Sequence, residues 1–329
     1  MTIKTLLASC ALAAALSLPA FAQAEGNTYQ TDSLFGERLY ADVSAAGNLA
    51  SEETFERVTA EARADFEENI TPDTATWYGR VLSYQGYYRE AIDIYQQGLR
   101  EYPNNAKLRR HLAHRYFTLR RFEDSIEEGL RAVELYDGQP LEREKLGPDY
   151  FQSTPDVVQF YLYYHLGQAY FATGDYENAA RWFVEARDVS RWTRDAPGVA
   201  AGTYWGFLAL GRAGRFEDAL ELLDEFDMTL PELSANIESN FYFDGIQLFK
   251  GHREPGSFFS TEGTGMAFSD SSSITSSTAF TLANYYLLDG QREEAKEWYR
   301  RAINVDGWSY FARIQAEADW QALFPGETP

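Results

Sequence analysis

Five times along the chain a large residue is followed by a small one, then by an aromatic residue or Leu, by Gly or Arg, by an aromatic residue, and by Ala or Ser. The first copy runs Tyr78, Gly79, Leu82, Gly86, Tyr88, Ala91, Tyr95 and Pro103. The second runs Leu112, Ala113, Tyr116, Arg120, Phe122, Ser125 and Ala132, and its Ser125 lies 34 residues beyond Ala91. The third is Leu166, Gly167, Tyr170, Gly174, Tyr176, Ala179, Phe183 and Ala186. The fourth is Leu210, Gly214, Phe216, Ala219, Leu223 and Pro231, with Gly206 and Phe207 where the large and small residues should stand. The fifth is Leu282, Ala283, Tyr286, Gly290, Ala295, Tyr299 and Ala302, with Arg292 in place of an aromatic residue. A fixed period of this length marks one supersecondary unit used repeatedly. One unit cannot bury its own apolar faces, so the copies must stack and each stabilises its neighbours.

The spacing predicts antiparallel helix pairs. Small residues at Gly79, Ala113 and Gly167 let the two helices of a pair approach, and Tyr88, Phe122, Tyr176 and Phe216 are expected to plug the groove beside them. These motifs resemble the tetratricopeptide repeat family. Residues 77–167, with Arg110-His111, His114-Arg115-Tyr116, Ser153-Thr154 and the run from Tyr163 through Gly167, are also similar to a set of exported bacterial tetratricopeptide proteins, a likeness that brings no activity with it. The resemblance implies an all-α fold, a right-handed α-solenoid of about six helix hairpins with a C-terminal capping helix.

Residues 1–24 read as a secretory signal: Lys4, an apolar run over 6–18, Pro19, and small residues at Ala20, Ala22 and Ala24. Cleavage after Ala22 or after Ala24 satisfies the small-x-small rule, and the expected location is periplasmic or secreted. A lipoprotein reading at Cys10 is the lesser one, since few apolar residues precede it. Cys10 is the sole cysteine, so the chain left after cleavage has neither disulfides nor thiol chemistry. No later stretch is apolar for long enough to span a membrane. The net charge of -21 opposes binding to nucleic acid through bulk charge. One stretch departs from this balance: residues 102–122 contain no acid and carry Lys107, Arg109, Arg110, Arg115, Arg120 and Arg121.

Along the chain, residues 25–50 are expected to be a linker or loosely docked arm, and a solenoid to occupy 51–322, ahead of a tail at 323–329. Ser51 is a plausible cap for a helix running to about Asn69 with Phe55, Val58, Ala62 and Phe66 on one face. Repeats fall near 72–105, 106–139, 160–193, 200–233 and 276–309. An insert punctuated by Gly and Pro occupies 138–158, and a Gly- and Ser-rich irregular loop is expected at 251–278. Residues 237–249 suit the first helix of a degenerate hairpin, and 308–323 an amphipathic helix capping the stack.

In the family it resembles, the first helix of each pair lines the concave surface. That implies ligand contacts from Arg80, Lys107, Arg110, His111, His114, Phe117, Tyr161, Tyr164, His165 and Gln168. The groove is then basic in its first half and aromatic in its second, which suits a protein or peptide ligand of acidic character. The alternative is a small-anion site, or an unrecognised enzyme, built from the same Arg and His cluster beneath the insert. The family's Lys and Asn clamp does not carry over, because Thr76 and Arg80 stand where it would begin. His111, His114 and His165 lie on adjacent inner faces, but the bases beside them oppose a bound cation, and no cofactor is expected. Catalytic signatures are missing: there is no Gly-x-Ser-x-Gly elbow, no His-Glu-x-x-His and no phosphate loop, so the chain is read as a scaffold and not an enzyme.

Overall fold

A computed structural model describes residues 28–42, 50–144, 147, 157–228, 237–259 and 272–329. The signal segment expected over 1–24 lies outside these residues. Ser51 accepts a hydrogen bond from Thr54 N and opens α1 (Glu52–Glu68), whose buried residues are Phe55, Val58, Ala62 and Phe66. Thr71 and Thr74 exchange side-chain and backbone hydrogen bonds in a capping box ahead of α2 (Pro72–Tyr84). The hairpins that follow are α2 with α3 (Tyr88–Glu101), α4 (Ala106–Thr118) with α5 (Phe122–Tyr136), α6 (Val158–Ala172) with α7 (Tyr176–Thr193), and α8 (Ala196–Arg212) with α9 (Phe216–Asp224). After α10 (Ile237–Phe249) come α11 (Ser272–Leu288), α12 (Arg292–Ile303) and α13 (Phe311–Leu323). The molecule is an all-α solenoid of helix hairpins. Along its inner side α2 neighbours α4, α4 neighbours α6, α6 neighbours α8, and α8 neighbours α11.

The small residues do the work their spacing implies. A Cβ added at Gly79 would sit 2.2 Å from the Tyr95 ring, and one at Gly167 would sit 2.7 Å from the Phe183 ring. The transposed fourth copy keeps this relation, because Gly206 faces Leu222 at 2.8 Å. Tyr88 and Phe122 are buried as expected, whereas Phe216 is 57% exposed. Phe216 opens α9, whose main packing among the described helices is on α8.

Two further expectations change. The arm before α1 contains an antiparallel hairpin, β1 (Tyr29–Asp32) and β2 (Arg38–Tyr40), and it is docked. Gln30 and Leu39 are buried; Thr31 Oγ1 donates to Leu119 O at 3.1 Å, and Trp308 Nε1 donates to Tyr40 O at 2.7 Å. The loop expected over 251–278 is partly regular, with a 3-10 turn at Pro255–Phe259 and α11 beginning at Ser272. Small hydroxyl residues serve that helix as spacers: buried Ser276 donates to Ala302 O on α12 at 2.8 Å.

The last helix closes the array, but by folding back across its inner side. It packs on α12 and α11 and also on α6, in the middle of the array. Its polar face is buried along with its apolar one: Arg313, Gln315, Glu317 and Asp319 join Ile314 and Trp320 in the interior. An amphipathic cap would have kept that face in water.

Candidate functional site

The acid-free stretch forms α4 and its flanks. Asn105 accepts from Leu108 N to start the helix, and Leu108, Leu112 and Tyr116 bury the face turned to the neighbouring helices. Lys107, Arg110, His111 and His114 are left for the inner side. Lys107 is nonetheless answered from within the chain, with Nζ 2.6 Å from Asp73 Oδ1 and 3.1 Å from Glu142 Oε1.

Glu142 and Glu144 come from the insert, whose described part folds onto the inner side. Glu142 N donates to Gln159 Oε1 at 2.9 Å, and Gln159 Nε2 donates to Pro140 O at 2.9 Å. Gly147 abuts Trp77 so closely that a Cβ there would lie 2.2 Å from the indole. Glu144 Oε1 accepts from Arg80 Nη1 at 2.8 Å, and Oε2 lies 2.8 Å from His111 Nε2. Arg80 also donates through Nε to Tyr84 OH at 3.2 Å. Residues 148–156, with Ser153 and Thr154, lie outside the described residues.

Charge and burial fix the protonation of this group. Burial pushes the Glu144 carboxyl up, but the His111 contact and the charges of Arg110 and Arg80 outweigh it and hold it well below the usual range. His111 is lowered to about 3, by burial first and then by Arg110. It is therefore neutral, with Nε2–H donated to Glu144 and Nδ1, 2.8 Å from Arg110 Nη1, accepting. His114 and His165 are lowered well below 6.5, again by burial first and then by the neighbouring arginines.

The second half of the expected groove is occupied by the chain's own C-terminal helix. Phe311 stacks on Phe117, His114 and His165, with ring centroids 5.2, 5.5 and 5.6 Å away. Gln315 Nε2 donates to both Gln168 Oε1 and Gln168 O at 2.8 Å. Tyr164 OH is 2.8 Å from Tyr242 OH on α10. Tyr161 remains half-buried beneath the Arg110 guanidinium, 4.8 Å from its ring centroid. The ten expected residues thus divide into a basic group under the insert, formed by Arg80, Lys107, Arg110 and His111, and an aromatic and amide group under α13 and α10.

Several residues that build this region carried no signal in the repeat pattern. Glu144 lies in the insert, outside any periodic segment. Glu317 and Asp319 read as the wet side of an amphipathic helix, yet Glu317 pairs with Arg120 at 2.8 Å and Asp319 with Arg212 at 2.9 Å. Arg120 did carry one, as a bulky residue where the other copies have Gly. Among the described residues no group of three or more His, Cys, Asp or Glu is placed to hold a metal, and no helix is long and apolar enough to cross a membrane.

Comparison with known proteins places tetratricopeptide repeat models on residues 79–140, 160–187 and 277–307. No curated protein matches the chain. Among solved structures, nearly identical TPR-like repeats from Podosopora anserina align at 15% identity, covering 70% of this chain and 92% of that one, with a TM-score of 0.40. BtubC (BKLC) from P. vanneervenii aligns at 14% identity, covering 88% of this chain and 95% of that one, with a TM-score of 0.43.

Proposed function

This chain carries tetratricopeptide repeats, the fold of a protein-interaction scaffold, and we propose that it binds an acidic segment of a partner protein on the basic inner stretch of Arg80, Lys107 and Arg110. The observation that carries this reading is Glu144. A carboxylate of the insert is gripped by Arg80 and His111 at 2.8 Å each, so the chain supplies its own example of the chemistry the stretch accepts. A guanidinium presents a planar fork to a carboxylate, and a concave, partly dry wall strengthens the attraction. A partner acid takes the place of Glu144. The apolar run over 6–18 with small residues at 20, 22 and 24 supports export, so the partner belongs outside the cytoplasm.

The test uses a fluorescent Glu-rich peptide and affinity capture from a periplasmic extract, with the parent chain beside Glu144→Gln and Arg80→Glu. Glu144→Gln unmasks Arg80 and is expected to bind the peptide several-fold more tightly, on the order of 1 kcal/mol. Arg80→Glu is expected to lose it. Equal binding by all three chains overturns the reading.

A further inference from the structure

We propose that the inner side of α4 binds a small dianionic oxyanion between Arg110 and Arg115. Buried bases elsewhere in this fold meet an acid. Arg80 has Glu144, Arg109 has Glu128, Arg120 and Arg313 share Glu317, Arg187 has Glu225, and Arg212 has Asp319. Arg110 and Arg115 break the rule: among the described residues neither has a carboxylate within ion-pair distance. Arg110 is 6% exposed, and its Nε is buried with no hydrogen-bond partner. Its other contacts are to neutral groups, the His111 ring and the Tyr161 face. Arg115 donates to His114 Nδ1 and lies over the Tyr88 ring, 5.1 Å from its centroid.

Arg110 and Arg115 act on one pair of imidazoles, His114 and His165. His114 stacks on His165 with centroids 3.7 Å apart, and His165 stacks on Tyr161 at 5.8 Å, which completes a chain of contacts from Arg115 to Arg110. His165 Nδ1, also buried without a partner, adds a second unsatisfied polar atom there. Arg115 and His114 keep some accessible surface beside the buried Arg110. Burial first, and Arg110's charge after it, hold the Arg115 pKa below its ordinary value.

Glu144 offsets part of Arg110's charge, and two like charges held largely out of water stay unfavourable until a further opposite charge joins them. A compact dianion answers both, since each guanidinium offers a fork to two oxygens. The ligand class is a small dicarboxylate or a phosphate monoester, which share this requirement. The site shares Arg110 with the stretch proposed for the partner's acid, and Arg115, which that stretch does not use, tells the two apart in the test.

The experiment titrates the full chain with succinate and, separately, with inorganic phosphate, at fixed ionic strength set by chloride, and reads calorimetric binding and the unfolding midpoint. One saturable site for either probe, with a rise in midpoint, is expected; which probe binds assigns the ligand as carboxylate or phosphate. Arg115→Met is expected to lose the site, and Arg115→Lys, which keeps the charge and loses the fork, to bind about tenfold more weakly. Absence of saturable binding to the parent overturns the proposal, as does unchanged binding in Arg115→Met. Should Arg115→Met fail to fold, unchanged affinity in Arg115→Lys overturns it equally.

Discussion

Arg120 and Glu317 stand 197 residues apart in sequence and meet through contacts of 2.8 and 3.1 Å, where neither side chain is more than 3% exposed. Arg120 occupies the turn position that is Gly86, Gly174, Gly214 and Gly290 in the other repeats. Those glycines have φ between 77° and 81°, and Arg120 takes φ 62° in the same left-handed region. A non-glycine residue there is strained by roughly 1 kcal/mol. The strain is offset by what the guanidinium reaches: Glu317, Trp308 O and Thr118 O, the last two at 2.8 Å.

Restoring glycine should therefore destabilise the protein. Arg120→Gly relieves the turn but leaves Glu317 short of a buried partner, with Arg313 and Leu34 N still bonded to it. Loss of a buried pair costs about 3–5 kcal/mol, so a net loss of about 3 kcal/mol is expected in urea unfolding. Adding Glu317→Gln to Arg120→Gly should recover part of it.

Phe311→Ala tests whether the last helix seals the inner side. The half-buried ring touches Phe117, His114 and His165, and its removal should cost about 3 kcal/mol. Water entering behind it should let both imidazoles titrate closer to 6.5, which NMR of the histidine ring protons would reveal.

Acid sensitivity should begin well above the carboxylate range. His111, His114 and His165 are held neutral in the fold, below their ordinary value of 6.5. The unfolded chain therefore binds more protons than the folded one as pH falls below about 6.5, and stability present above that pH is lost. Three such groups give a slope of about 4 kcal/mol per pH unit once all are titrating in the unfolded chain. Glu144, held low in the fold, adds to the loss below about pH 4.5. Urea midpoints at pH 7.5, 6.5 and 5.5 check the slope, and His165→Gln should reduce it by about a third.

Gly79→Ala isolates helix approach from everything else. The new methyl would lie 2.2 Å from the Tyr95 ring, which is buried and has no room to withdraw. A loss of about 1–3 kcal/mol is expected. Gly79→Ala combined with Tyr95→Leu should be less destabilised than Gly79→Ala alone, as measured by thermal unfolding.

The repeats were legible because their determinants are local. Gly79 meets Tyr95 and Gly167 meets Phe183 within single hairpins, so spacing alone specifies the pair of helices and the stacking that follows. The basic stretch around Lys107, Arg110 and His111 was legible as charge, but its partners were not. Glu144 belongs to a segment with no period, and nothing in its neighbours says which wall it will face. Phe216 misled too, since its motif presumes a neighbour that buries the ring, and the ring is 57% exposed.

The sequence by itself determined the helix hairpins, their order and the excess of base on one inner face. Only the tertiary structure decided that the C-terminal helix folds back across the inner side and that the β1–β2 hairpin docks beside it. Trp308 reaches Tyr40 across 268 residues, and Arg313 reaches Glu37 across 276. Such contacts depend on how far the stacked hairpins curve, a quantity accumulated over many small rotations between neighbours and written in no single repeat. The polar side of α13 looks solvent-facing until that curvature brings Arg120, Arg212 and Gln168 to meet it.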